Sequence, residues 1–312
     1  MEAAGHRTLR ALRGLRGGAP GSLTVDPREA GRDRRDLAQA LKTLRLVVGL
    51  SGVRLAVCCG ISQSKISRIE SGRVLPSVVD VQLIVQALHL DQQTAADLVA
   101  LARRANIDYE CVRASVRRGL HHRQRELAAL EAAATRMRFF LPAIPTSLLQ
   151  TAEYMRTVMT RPTSAAQGNV ARAIALKLER QTVLHDGSKL FEFLLTESAI
   201  RWRMGSPGLM ALQLDRLSSL SRLSGVRICV LPLSRVVQES AFHTFTVYDR
   251  SLVTAELFSG RVAMRDPKDV DHYIALFEFM LSHAETGDSA RHLLARWADD
   301  FRDEGEQMPE RE

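Results

Sequence analysis

The chain has 312 residues, 46% hydrophobic and 25% charged, enough apolar content to bury the cores of two domains. No apolar run approaches the roughly eighteen residues of a membrane helix, and the basic start MEAAGHRTLRALRGLRGG lacks the continuous apolar core of a secretory signal. The net charge of +8 is unevenly spread: residues 1–125 carry 21 Lys and Arg against 11 Asp and Glu, and the remainder 22 against 24, so affinity for a polyanion belongs to the first part.

Residues 1–34 are rich in Gly and Arg and cannot bury a core, which predicts a disordered arm, with a brush against nucleic-acid phosphate as the alternative. From Asp36 the spacing turns helical. Leu37, Leu41, Leu44 and Val48 form one stripe that ends at Gly49. Ser51 to Gly72, SGVRLAVCCGISQSKISRIESG, has the punctuation of two short helices joined by a tight turn. Ser51 caps the first, Gly60 supplies the reversal, Ile61 plugs the corner, Ser62 caps the second, and Gly72 ends it.

In the second of these helices Ile66 and Ile69 share one side, and the opposite arc carries Ser64, Ser67, Arg68 and Ser71, flanked by Gln63 and Lys65. Such residue types can read a DNA major groove: Arg grips guanine bidentately, Gln does the same for adenine, and Ser takes a base edge. The candidate base readers are Gln63, Ser64, Ser67 and Arg68, and the candidate phosphate contacts are Lys42, Arg54, Lys65 and Arg73. The same pattern also describes the solvated face of an ordinary helical hairpin. After Gly72 come a loop and cap at Pro76 and Ser77, a helix with Val81, Ile84, Val85 and Leu88, and a fifth from about Gln92 with Leu98, Leu101 and Ala105. Cys58, Cys59, Cys111 and Cys229 form no C-x-x-C pair and have no His at zinc-finger spacing, so no disulfide framework, metal site or cofactor is expected.

Helix, Leu-Ser, Leu-Ala, Gly-Ile-Ser-Gln-Ser-Lys-Ile-Ser-Arg-Ile-Glu-Ser-Gly and Pro-Ser together resemble the Cro and lambda-repressor (Xre-type) class of helix-turn-helix domains over residues 36–105. The resemblance implies a recognition helix from Ser62 to Ser71, base-facing positions at Gln63, Ser64, Ser67 and Arg68, and an ion pair between Arg45 and Glu70. Where that class commonly has Gln after the cap of its second helix, this chain has Gly52, which removes one DNA contact.

Residues 106–124 read as a basic linker, and Leu127, Leu130, Ala134 and Met137 as the stripe of the next helix. Beyond it FFLPAIPTSLLQT is apolar with two prolines, KLFEFLLTE alternates, VRICVLP is a short apolar run, and HTFTVYD with LVTAELF reads as two strands around Asp249 to Ser251. Helices at GSPGLMALQLDRLSSLSRL, near Val270 to His283 and at Ser289 to Phe301 complete a domain over 125–303, followed by an acidic tail over 304–312. The expected fold is α+β, mostly α: a five-helix helix-turn-helix domain, then helices around a small antiparallel sheet.

This half resembles the domain that follows a Cro-like module in actinobacterial antitoxin-like regulators, on Pro145 through Leu148, Leu149, Gln150, Thr151 and Tyr154, Arg180 with Gln181, Glu197 with Arg201, Gln213 with Leu214, and Val230, Leu231, Pro232. The resemblance implies a signal-sensing or partner-binding role beside a small acidic protein encoded nearby. Arg180, Gln181, Glu197, Arg201 and Gln213 are the candidate ligand or partner contacts, although Glu197 and Arg201 also have the spacing of an ordinary helical ion pair. No nucleophile elbow, H-E-x-x-H or dinucleotide fingerprint is present, so no enzyme is expected. The expectation is a cytoplasmic, nucleoid-associated, homodimeric regulator of transcription that binds double-stranded DNA and no membrane; the alternative is an adaptor that holds the acidic partner.

Overall fold

The computed structural model describes residues 27–111, 120–160 and 170–307, with side chains at 35–107, 123–160 and 170–307. Most of the expected arm, the middle of the expected linker and the end of the expected tail lie outside these residues. The chain forms two units: residues up to Tyr109 together with Val262–Pro267, and Glu110–Arg261 together with Lys268 onward.

The first unit is helical: α1 (Pro27–Val47), α2 (Gly52–Cys59), α3 (Gln63–Glu70), α4 (Val78–Ala87) and α5 (Gln92–Ala105). Four helices are capped by the residue just before them. The Ser51, Ser62, Ser77 and Asp91 side chains accept from the backbone N–H of Arg54, Lys65, Asp80 and Thr94. Gly60 turns the chain between α2 and α3 at φ +64, and its N–H closes onto the Ala56 and Val57 carbonyls. Leu37, Leu41, Leu44, Leu55, Ile66 and Ile69 meet Val81, Ile84, Leu98 and Leu101 in one core.

Three expectations need correction here. The first helix begins at Pro27, inside the stretch read as a disordered arm: Pro fits the first helical position, and the helix continues through Gly31 into the Leu37, Leu41 and Leu44 stripe. Val48 lies past the helix end and is 44% exposed, so it leaves the core stripe. Residues 107–111 form strand β1 where only a linker was expected.

After the first unit the chain continues through α6 (Leu120–Ala133), β2 (Arg136–Leu141), α7 (Ala152–Met159), α8 (Val170–Arg180), a 3-10 turn (Gln181–His185), β3 (Leu190–Thr196), α9 (Glu197–Arg201), α10 (Pro207–Leu220), β4 (Val226–Leu231), β5 (Phe245–Tyr248), β6 (Leu252–Leu257), β7 (Gly260–Met264), α11 (Pro267–Ser282) and α12 (Gly287–Gln307), all of the second unit except residues 262–267 at the end of β7 and the start of α11. The strand order is β1-β7-β6-β5-β2-β3-β4. The α+β, mostly α class holds, but the sheet is mixed and not simply antiparallel. β2 to β3 and β3 to β4 are parallel, whereas β2 to β5 and β5 to β6 are antiparallel. The reason is in the connections: helices separate β2, β3 and β4, and a parallel pair needs such a crossover, while β5 and β6 are joined by a tight turn.

Both faces of the sheet are covered. Phe139, Phe193 and Phe191 stack on one, with centroids 4.7 and 6.1 Å apart; Phe140, Phe245 and Tyr273 of α11 pack on the other at 5.2 and 4.9 Å. α10 lies against α12, which buries Trp297, Leu294 and Phe301. Met137 sits on β2 and not on the preceding helix, whose end is closed by the Lys189 ammonium on the Ala132 and Ala134 carbonyls at 2.8 and 2.7 Å. Gly225, at φ +82, brings its carbonyl to the Phe191 N–H at 2.7 Å, and a Cβ there would stand 2.5 Å from the Lys189 carbonyl oxygen. At the C-terminus α12 runs to Gln307, into the expected acidic tail. No helix among the described residues is long and apolar enough to cross a membrane.

Candidate nucleic-acid interface

The helix α3 is shaped by what lies beneath it. Ile66 and Ile69 are 1% and 0% exposed, which leaves Gln63, Ser64, Ser67 and Arg68 outward, each exposed. Arg68 rests its Nε on the Ser64 carbonyl at 3.3 Å, on its own helix, with the guanidinium at the surface. Four neighbouring polar side chains thus form one outward strip that the core of the unit does not use.

Two ion pairs fix the helix. At its C-terminal end Arg45 of α1 grips Glu70 with two hydrogen bonds of 2.6 and 2.8 Å and donates a third to the Leu50 carbonyl at 2.7 Å. Those bonds raise the Arg45 pKa above its ordinary value. At the other end Lys65 Nζ meets Asp80 Oδ1 at 2.7 Å. Asp80 also completes a capping box with Ser77 at the start of α4. Lys65 is therefore paired within the protein, with 39% of its side chain exposed, whereas Lys42, Arg54 and Arg73 are exposed. The anchoring role of Asp80 escaped sequence reasoning, although Ser-x-x-Asp before an apolar run is its signal.

The candidates of the second unit are placed differently. Gln213, 1% exposed, accepts from the Thr151 N–H at 2.8 Å and donates to the Leu149 carbonyl at 2.9 Å. Gln181 donates to the Ser147 and Gln150 carbonyls, both at 2.8 Å, and accepts from Arg216 at 3.0 Å. Arg180 is buried, reaches the Ser147 hydroxyl at 2.9 Å and Gln124, and faces Glu131 at 3.1 Å. These three side chains hold the segment Pro145–Thr151, a piece of irregular backbone inside the unit that must find its hydrogen bonds from side chains. The amide groups of Gln181 and Gln213 are engaged by the fold, which corrects their role as ligand contacts, whereas Arg180 is buried with its Nε facing Glu131 but outside hydrogen-bond geometry.

Glu197 and Arg201 pair at 2.9 Å, with Glu197 also accepting from the Leu233 N–H at 3.0 Å and Arg201 lying 5.6 Å over the Trp297 ring. A cleft of about 530 Å3, walled by Glu197, Glu285, His292 and Arg296, opens beside this pair. Burial pushes the Glu131 carboxyl up to about 7 against the pull of Arg180, and pushes the Cys59 and Cys229 thiols up to about 11, which leaves both thiols inert at neutral pH. Among the described residues no group of three or more His, Cys, Asp and Glu could hold a metal ion.

A family profile described as "Domain of unknown function (DUF5753)" matches residues 124–296, more than half of the chain. The chain belongs to the DUF5753 family. A second profile, described as "Helix-turn-helix domain", matches residues 36–98 of this DUF5753 protein and supports DNA binding by its first unit. No curated protein matches. Among solved structures the chain is similar to NucT from Helicobacter pylori, at 9% identity and TM-score 0.34 over 58% of this chain and 98% of that one. It is similar to Nuc from Salmonella typhimurium, a phospholipase D family member, at 11% and 0.31 over 58% and 95%. The archaeal chromatin protein TrmBL2 matches at 12% and 0.30 over 76% and 88%. Likenesses this remote carry no functional argument for the DUF5753 chain.

Proposed function

We propose that this protein is a sequence-specific, double-stranded-DNA-binding regulator of transcription. α3 enters the major groove, Gln63, Ser64, Ser67 and Arg68 meet base edges, and Lys42, Arg54 and Arg73 take phosphates. The observation that carries the reading is the outward strip Gln63, Ser64, Ser67 and Arg68 over buried Ile66 and Ile69. The second unit serves as the sensor of a signal or partner, and the chain acts as a homodimer of the Xre type. Selection of duplexes from a random pool by the full chain tests this. It should return a two-fold symmetric site with half-sites about 10 base pairs apart. A pool that stays random after repeated rounds contradicts the reading.

A second reading is favoured by one surface. Leu233, Val236 and Phe242 are 71%, 83% and 84% exposed on the loop between β4 and β5, which suits an antitoxin-like adaptor that holds a small acidic protein, with DNA binding for autoregulation. Co-purification of the chain with the product of an adjacent small gene, lost on Phe242→Ser, supports it; a chain that purifies without that product contradicts it.

A further inference from the structure

The first unit is not one contiguous stretch of sequence. Residues 262–267 belong to it although they close β7 and lead into α11, far along the chain. Within this short strap Asp266 is 6% exposed, and its carboxylate accepts the Val78 N–H, the first of α4, at 3.0 Å. One residue earlier, the Arg265 N–H donates to the Asn106 carbonyl at 3.1 Å. The buried Asn106 amide in turn donates to the Pro76 and Ala102 carbonyls, both at 2.9 Å. The strap therefore holds the start of α4 at two points, through Asp266 on Val78 and through Asn106 on Pro76.

What α4 does with that hold reaches the reading strip. Its third residue, Asp80, is locked to Ser77 by reciprocal hydrogen bonds of 3.0 and 3.1 Å and takes the Lys65 ammonium of α3 at 2.7 Å. Lys65 stands beside Ser64 and two residues from Gln63. A continuous line of contacts runs from Asp266 through the α4 N-terminus to the first turn of α3.

We propose that Asp266 is a positioning residue for DNA reading. The strap fixes the start of α4, and through Asp80 and Lys65 the setting of α3, so that displacing the strap loosens the grip on DNA. Strap and second unit are covalently continuous at Arg261 and at Lys268, and Pro267 opens α11, whose Val270, Phe277 and Met280 are buried in that unit. A ligand or partner that shifts α11 pulls on Asp266 directly, which gives the second unit a route to DNA affinity. The inference rests on the reading of α3 as the DNA-reading helix.

The test uses the full chain, a duplex selected by the wild type and a random duplex. Asp266→Ala should weaken the selected duplex about tenfold and the random one less than about twofold, with Asp266→Asn, which keeps an oxygen opposite Val78, recovering most of the loss. Val78→Pro removes the N–H that Asp266 accepts, at a helix position where proline is at home, and covers the case in which Asp266→Ala does not fold; Val78→Ala, which keeps that N–H and trims the side chain packed on the core, is its control and should bind as the wild type does. Val78→Pro should reproduce the loss. Without DNA, amide exchange over Ile66 to Glu70 should quicken in both Asp266→Ala and Val78→Pro. Wild-type binding of the selected duplex by Val78→Pro, equal losses on both duplexes, or no recovery by Asp266→Asn overturns the proposal. If the wild type itself selects no duplex, the DNA reading fails, while the exchange rates still decide whether the strap sets α3.

Discussion

On α3, Gln63, Ser64, Ser67 and Arg68 point away from the protein, whereas in the second unit Arg180, Gln181 and Gln213 are folded inward and make seven hydrogen bonds, five to Pro145–Thr151 and one each to Gln124 and Arg216. The two clusters are alike in composition and opposite in use. Polar groups whose bonds are satisfied within the chain stabilise the fold, and those left at the surface over an apolar underside remain for a partner. The comparison can be sharpened by removing members of each cluster in turn.

The largest effect is expected from Arg180→Ala. Above about pH 7, where Glu131 is ionised, it strands that carboxylate, whose side chain is 2% exposed, and should cost the second unit about 3–5 kcal/mol, less at lower pH where Glu131 holds a proton. Both tryptophans, Trp202 and Trp297, lie in that unit, so denaturant melts followed by their fluorescence read it. A wild-type midpoint would mean that Arg180 is available for a ligand after all.

Next comes a pH dependence. Glu131 in the folded chain sits at about 7 against 4.5 ordinarily, so the folded state holds a proton that the unfolded state releases. The contribution of Glu131 to the stability of the second unit should be full below about pH 4.5 and fall as pH rises through 7, by up to about 3 kcal/mol. Glu131→Gln should flatten that part of the profile; parallel profiles for wild type and variant would remove Glu131 as the cause.

Arg45→Ala should cost the first unit about 2 kcal/mol, because Glu70 and the Leu50 carbonyl lose three hydrogen bonds in a partly buried setting. Faster amide exchange across α3 is the readout, and an unchanged rate with weaker DNA binding would reassign Arg45 to phosphate contact. Arg201→Ala should be the mildest, at or below about 1 kcal/mol, since its pair with Glu197 is half exposed on the Arg side. A change much above that would mark the Glu197 cleft as more than surface.

The first unit was the more legible part of the sequence. Its caps, its Leu and Ile stripes and the reversal at Gly60 are local signals at helical spacing, and each helix exposes one face. The sheet was harder for a physical reason. β2 and β3 are buried on both faces, from Met137 to Leu141 and from Phe191 to Thr196, so they read as apolar runs that announce a strand without announcing its neighbours. The mixed order then depends on contacts between strands far apart in the chain. Asp266 was invisible for the same reason: its partner Val78 is 188 residues away, and no local pattern marks it.

The central claim is that the outward strip of α3 reads bases while Lys42, Arg54 and Arg73 hold phosphates. Binding of Arg68→Ala to a selected and to a random duplex, beside Arg73→Ala, tests it most directly. The account predicts that Arg68→Ala loses about 1–3 kcal/mol on the selected duplex, relaxes the preference at one base pair and leaves random duplex nearly unchanged, with Arg73→Ala weakening both alike. Equal losses on both duplexes for Arg68→Ala would contradict it.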